Sequence, residues 1–279
     1  MLCQTAPDGE PHFISTMDDH MSLCGQLVRA FGNDRFQRAA PYNEVVYVVE
    51  NHDRGWAHYD AHPGLDPDTR LPYIMSQTPT PDALPTNKGS PDFNEAHHAY
   101  CGLLSSMHTC GIYNGRYGLS QFKVPLRKQL SSGDSTLKAS VNAMLEGERS
   151  RQARLKSVLK DDRLTAAWLD DKRLFQNFKQ LQFFDTLSLY FHLRGPADRT
   201  TEVFIHVPAS GEEDASITAR KVSDFEYSLD PFPFASETLK ITCGGWYFHR
   251  YPEKADAAQL GDALRATPRD SQTFTLIAA

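Results

Sequence analysis

Apolar positions along the first third of the chain change their period several times. Met21, Cys24, Leu27, Val28 and Phe31 recur at helical spacing and predict a helix from about Met17. Ser15 with Asp18 three residues later resembles a capping box, Asp18 and Asp19 suit the positive helix start, and Gly32-Asn33 ends the run. Before it, Cys3–Ala6 and His12–Thr16 are short extended runs around Asp8-Gly9, a hairpin pattern. Glu44–Tyr59 holds Val45, Val46, Tyr47, Val48 and Val49 consecutively, which fits a buried strand by propensity and a fully buried helix by periodicity.

From Ala61 to Ser90 proline and glycine recur, which predicts a long loop of the kind that forms lids or binding surfaces. Asn94–Met107 predicts a helix, with Gly111 near its end, and Leu137–Trp168 one or two charged helices. In Lys172–Leu193 one helix face carries Leu174, Phe178, Leu181, Asp185 and Leu189. Beyond Gly195, Val203–Val207, Thr238–Thr242, Gly245–Phe248 and Thr273–Ile277 predict strands separated by turns. There is no internal repeat and no low-complexity tract.

The 279 residues suffice for one large core or two small ones, and 40 % hydrophobic with 23 % charged residues is an ordinary globular balance. A net charge of −6 argues against binding nucleic acid by phosphate neutralisation. The basic run Glu146–Arg163 is interleaved with acids and reads as a solvated helix face. No stretch approaches the ~20 apolar residues that cross a bilayer. The start, MLCQTAPDGEPHF, lacks a basic segment and an apolar run, so a cytoplasmic protein without membrane contact is expected. Five cysteines, odd in number and without C-x-x-C spacing, point to reduced thiols rather than disulfides or a thiolate zinc site.

Among the eleven histidines, His20, His52 and His108 lie in apolar segments, and His52 is followed by Asp53. Asp185 shares a helix face with Leu181 and Leu189. A carboxylate buried there costs several kcal/mol unless paired or bound to a cation. The plain structural alternative is a salt bridge to an arginine such as Arg54. Singly, each histidine fits a satisfied core residue. Together they are the imidazole and carboxylate set that Fe, Mn and Zn sites use. Trp56, Tyr59 and Arg70 follow the His-Asp pair and are candidates to line a pocket, with Arg54 or Arg70 able to fork an anionic group. Phosphate-loop, dinucleotide, H-E-x-x-H and G-x-S-x-G motifs are absent. Ser105 and Ser106 near His108 lack an oxyanion-hole motif for nucleophilic catalysis.

The order His, His-Asp, further His, late Asp resembles the ligand order of HD-domain metalloproteins, which are helical bundles with ligands on separate helices. The segments ENHDRGW, SSMHTCGIY and LQFFDTLSLYF resemble signature segments of an uncharacterised family, domain of unknown function 3891. That resemblance runs from the N-terminal hairpin to the C-terminal strands. It selects helix for Glu44–Tyr59 and implies His20 and His52 as ligands, Asp53 bridging or binding a metal, and Asp185 closing the site. His108 matches the extra histidine of two-metal members, and His97 and His98 compete for the second such position. Were His97 and His108 on one straight helix, eleven residues at ~1.5 Å each would part them by about 16 Å. Two metals of one site lie only ~3.5–4 Å apart, so His108 is the stronger ligand.

The resulting expectation is an α+β, mainly α, single domain of 279 residues. A helical HD-like core would span about 15–195, with a strand-rich C-terminal part over about 196–279. The N-terminal hairpin and the C-terminal strands would form a small antiparallel sheet. The expected function is a metal-dependent enzyme holding one or two divalent ions, Fe favoured, Mn or Zn possible. It would be a di-iron oxygenase of a small polar substrate or a phosphohydrolase, and a non-catalytic binding module on the same scaffold is the alternative from another class.

Overall fold

The computed structural model describes residues 1–119, 135–211 and 213–279, and about half of the chain is helical. Two compact units emerge. The first gathers Met1–Arg38, Ala57–Met75 and Phe183–Ala279; the second gathers Ala39–Trp56 and Ser76–Gln182.

The first unit is organised by a seven-stranded sheet. Its strands are β1 (Leu2–Cys3), β2 (His12–Ser15), β3 (Glu202–Val207), β4 (Ala215–Ser223), β5 (Glu226–Asp230), β6 (Thr238–Phe248) and β7 (Asp270–Ala278), in the order β1-β2-β6-β7-β5-β4-β3. Every neighbouring pair is antiparallel except β5 with β7, which run parallel from Glu226 opposite Thr275 to Leu229 opposite Ala278. This corrects the expected fold class. The sheet is mixed and large rather than small and antiparallel, and no HD bundle is formed by the described residues. The reason lies in β4 and β5. In β4 the inward positions are the small or lone apolar residues Ala215, Ile217 and Ala219, followed by Arg220 and Lys221, so the run reads as polar. β5 is five residues with an acid at each end, yet buries Tyr227 and Leu229.

Helix α1 (Met17–Ala30) packs on β6. Its true N-cap is Thr16 with Asp19, one residue later than the sequence pattern suggested, because Ser15 donates its hydroxyl to the Gly244 carbonyl instead. A core of Met1, Ile14, Leu71, Trp246, Tyr251, Leu260 and Leu264 fills one region of this unit. In another, the buried Arg199 guanidinium lies 4.7 Å over the Phe274 ring and donates to the Phe191 carbonyl near a helix end, a favourable place for a cation.

The second unit is helical: α2 (Tyr42–Val49), α4 (Thr80–His97), α5 (Ala99–Tyr113), α6 (Ser135–Lys160) and α7 (Arg163–Ala166). Helix α8 (Asp171–Leu193) gives its first part to this unit and its part from Phe183 to the first unit. The short α3 (Ala57–Ala61) and α9 (Leu260–Ala266) belong to the first unit.

The expected loop to Ser90 ends eleven residues early, since α4 begins at Thr80 and carries Pro85 and Pro91 inside it. Interior proline normally breaks a helix because a carbonyl loses its N–H partner. Here the Thr109 hydroxyl donates to the Asn87 carbonyl that Pro91 cannot serve. The single helix expected over Asn94–Met107 breaks at His98, whose φ of −160° is extended and whose Nδ1 accepts the Tyr100 N–H, 3.1 Å away, to start α5. The charged α6 is more than a solvated face, for Arg151 is mostly buried among Asp92, Glu95 and Glu148. Among the described residues no helix is long and apolar enough to cross a membrane.

Candidate metal centre

In the second unit, α2 stops at Val49 and the chain turns tightly through Asn51–Trp56, placing His52 and Asp53 on the turn rather than on a helix. Asn94 of α4 braces that turn by donating to the Asn51 carbonyl at 2.8 Å and to the Ser105 hydroxyl of α5 at 3.2 Å. Gly55 is required by close approach: a Cβ there would lie 2.0 Å from the Thr86 carbonyl oxygen. Helix α5 brings His108 to the same place.

His52, Asp53 and His108 each offer a ligand atom, and these atoms lie within 4.8 Å of one another. All three side chains are buried. His52 Nε2 is 3.4 Å from Asp53 Oδ2 and His108 Nε2 is 3.9 Å from Asp53 Oδ1. The imidazole planes stand edge to face, centroids 4.9 Å apart.

The tautomer of His52 follows from its other nitrogen. His52 Nδ1 lies 2.9 Å from the Val49 carbonyl, which can only accept, so Nδ1 carries the proton. In the neutral ring Nε2 then presents a lone pair to a buried carboxylate. At 3.4 Å that contact is longer than a charge-assisted hydrogen bond of about 2.7–2.9 Å. Two ligand atoms, each about 2.1 Å from one ion, stand roughly 3.0–3.4 Å apart. For His108 the Gln182 amide nitrogen lies 2.8 Å from Nδ1. A half-turn of that amide brings its oxygen there instead, to accept from Nδ1–H and leave Nε2 as the lone-pair atom. A carbonyl or amide behind each imidazole is the usual outer support of metal-bound histidine.

In the first unit, His20 of α1 meets Asp185 of α8, with His20 Nε2 3.3 Å from Asp185 Oδ1, both groups buried. Ser188 Oγ lies 2.9 Å from His20 Nδ1. His192 completes the group, its ring 5.6 Å from that of His20. His192 Nδ1 donates to the Ser188 carbonyl at 2.9 Å, and its Nε2 has no hydrogen-bond partner among the described residues. Burial first, then the adjacent His20, push the His192 pKa down to about 3, so this imidazole is neutral. Cys24 Sγ is 3.8 Å from His20 Nε2 and 3.5 Å from the Phe184 carbonyl.

The other sequence candidates lie elsewhere. His97 stacks on Tyr47 with centroids 3.6 Å apart, and His98 caps α5; neither joins the ligand groups among the described residues. Arg54 sits over Phe93 at 5.6 Å, Trp56 is buried, and Tyr59 lies in α3 of the first unit. Arg70 donates to the carbonyls of Tyr251 and Pro252, which makes it a structural clamp. Gln182, Ser188, His192 and Cys24 escaped the sequence reading. Spacing was the available signal: Ser188 and His192 follow Asp185 by three and seven residues on one helix face, and Cys24 follows His20 by four.

The sheet and these buried groups define a mixed α+β protein with imidazole and carboxylate clusters of the type that hold transition-metal ions. The chain belongs to the DUF3891 family of proteins of unknown function, whose model matches residues 1–249. No curated protein and no solved structure matches it.

Proposed function

We propose that this protein is a metal-dependent enzyme. Its ligands are His52, Asp53 and His108 in the second unit and, as a separate group, His20 and Asp185 in the first, for one divalent ion at either group or one at each, iron favoured over Mn or Zn. The observation that carries the proposal is the fixed tautomer of His52. With Nδ1–H held by the Val49 carbonyl, the neutral form of His52 directs its Nε2 lone pair at the buried Asp53 carboxylate, 3.4 Å away. Two electron-rich atoms so placed repel in a medium of low polarity, and a cation between them reverses the sign of that interaction. Two imidazoles with one carboxylate form the ligand set of non-haem iron oxygenases, in which open positions remain for oxygen and substrate. When bound, iron would supply redox chemistry with dioxygen. The side chains themselves would hold the ion and exclude bulk water through their burial, while the Val49 carbonyl keeps His52 Nδ1–H engaged.

The test is oxygen uptake by protein loaded anaerobically with Fe(II) and then exposed to air, beside His52→Ala and His108→Ala. Uptake faster than that of free Fe(II), and lost in both variants, is expected. Iron-loaded protein that is inert to oxygen, with Mn- or Zn-loaded protein cleaving bis(p-nitrophenyl) phosphate, would replace the oxygenase reading by hydrolysis. Folded protein that takes up no metal would overturn both and leave a binding module.

A further inference from the structure

Ser188 sits where His20 needs a partner. Three polar atoms surround Ser188 Oγ: His20 Nδ1 at 2.9 Å, His192 Nδ1 at 3.2 Å and the His20 carbonyl at 3.3 Å. Two of their roles are settled by chemistry. The His20 carbonyl can only accept. His192 Nδ1 faces the Ser188 carbonyl at 2.9 Å, which also only accepts, so that nitrogen carries its proton. One arrangement uses every contact: the Ser188 hydroxyl donates to the His20 carbonyl, and its lone pairs accept from His20 Nδ1–H and from the longer branch of a bifurcated His192 Nδ1–H whose main acceptor is the Ser188 carbonyl. The opposite arrangement, with Ser188 donating to His20 Nδ1, gives up the carbonyl contact. It would also leave His20 Nε2–H only long contacts, Asp185 Oδ1 at 3.3 Å, against about 2.7–2.9 Å for a charge-assisted bond, and Cys24 Sγ at 3.8 Å.

We infer that Ser188 is a positioning residue for His20: its hydroxyl accepts from Nδ1–H and so turns the Nε2 lone pair towards Asp185. This rests on the reading of His20 and Asp185 as metal ligands, and it gives His20 the same tautomer that the Val49 carbonyl imposes on His52. Neither Ser188 nor His192 belongs to the ligand-type groups among the described residues. His192 lies behind the hydroxyl, its Nδ1 3.2 Å from Ser188 Oγ. Outer partners of this kind commonly change metal affinity by about 10–100-fold.

The test combines two readouts on the full chain. The tautomer of His20 is read in metal-free protein by long-range ¹H–¹⁵N NMR at about pH 8, above the ordinary histidine range. Zn2+ affinity is read by competition with a chromophoric chelator. In wild type, His20 is expected protonated at Nδ1. In Ser188→Ala it is expected to shift to Nε2–H, with Zn2+ affinity down about 10–100-fold. Ser188→Thr, which keeps the hydroxyl, should restore both. A merely structural role for Ser188 would leave the tautomer unmoved. Wild-type His20 protonated at Nε2, or Ser188→Ala unchanged in both readouts, would overturn the inference. Protein that binds no Zn2+ yet shows the tautomer switch would overturn the metal reading and support the hydrogen-bond role alone.

Discussion

The proton positions on the buried histidines decide the chemistry. His52 is settled by the Val49 carbonyl, while His108 depends on which end of the Gln182 amide faces it. This makes Gln182 informative. Gln182→Leu removes any acceptor for His108 Nδ1–H and should lower metal affinity by about 10–100-fold. Gln182→Glu supplies a permanent acceptor and should retain or raise that affinity. Titration with Zn2+ against a competing chelator checks both, and equal affinity in all three proteins would show that Gln182 does not support His108. At this scale the sequence was informative about ligand-type residues and poor about their supports. His20, His52, Asp53, His108 and Asp185 stand out because charge or imidazole interrupts apolar runs. Gln182 and Ser188 are ordinary polar residues on a helix, and only the geometry shows what they face.

The elements present the ligands by tight packing of backbone. Gly55 follows the His-Asp pair by two residues, its N–H bonds the Ser90 hydroxyl at 3.0 Å, and its Cα lies against α4. Gly55→Ala should therefore force the turn away from α4. The expected loss is about 2–3 kcal/mol in urea unfolding, with bound metal reduced as well. Full stability and full metal content in that variant would show that the turn can shift without moving His52. The capping box of α1 is a gentler case. Thr16→Ala removes the bond to the Asp19 N–H and should cost about 1 kcal/mol, measured in the same way. The sequence located this helix but misplaced its cap by one residue, since Ser15 and Thr16 are equally good caps and a β6 carbonyl claims Ser15. Helix α4 was hidden for a different reason: its prolines speak for a loop, and the Thr109 hydroxyl that compensates Pro91 comes from a separate segment.

At the level of the whole molecule, sheet pairing was the least legible feature. β2 pairs with β6 across most of the chain's length, and β5 finds a parallel partner in β7 rather than a hairpin neighbour. Such pairings are decided by non-local burial that a local pattern of polar and apolar residues does not encode. The HD resemblance pointed to a helical bundle, whereas the described residues form a mixed seven-stranded sheet in one unit and helices in the other. Metal binding must also appear as stability of the fold. An ion present at about 100–1,000 times its dissociation constant adds about 2.7–4.1 kcal/mol, so a strong chelator should lower the melting temperature of wild type and leave that of His52→Ala unchanged. An identical chelator response in the two proteins would place the ion somewhere other than this centre. The most direct test of the account is elemental analysis of protein purified without chelator or metal-affinity tag, beside His52→Ala and His108→Ala. The account predicts one or two irons per wild-type chain, with the iron of the His52 group lost in both variants while they remain folded. Folded wild-type protein without metal, and with none gained on anaerobic reconstitution, would contradict it.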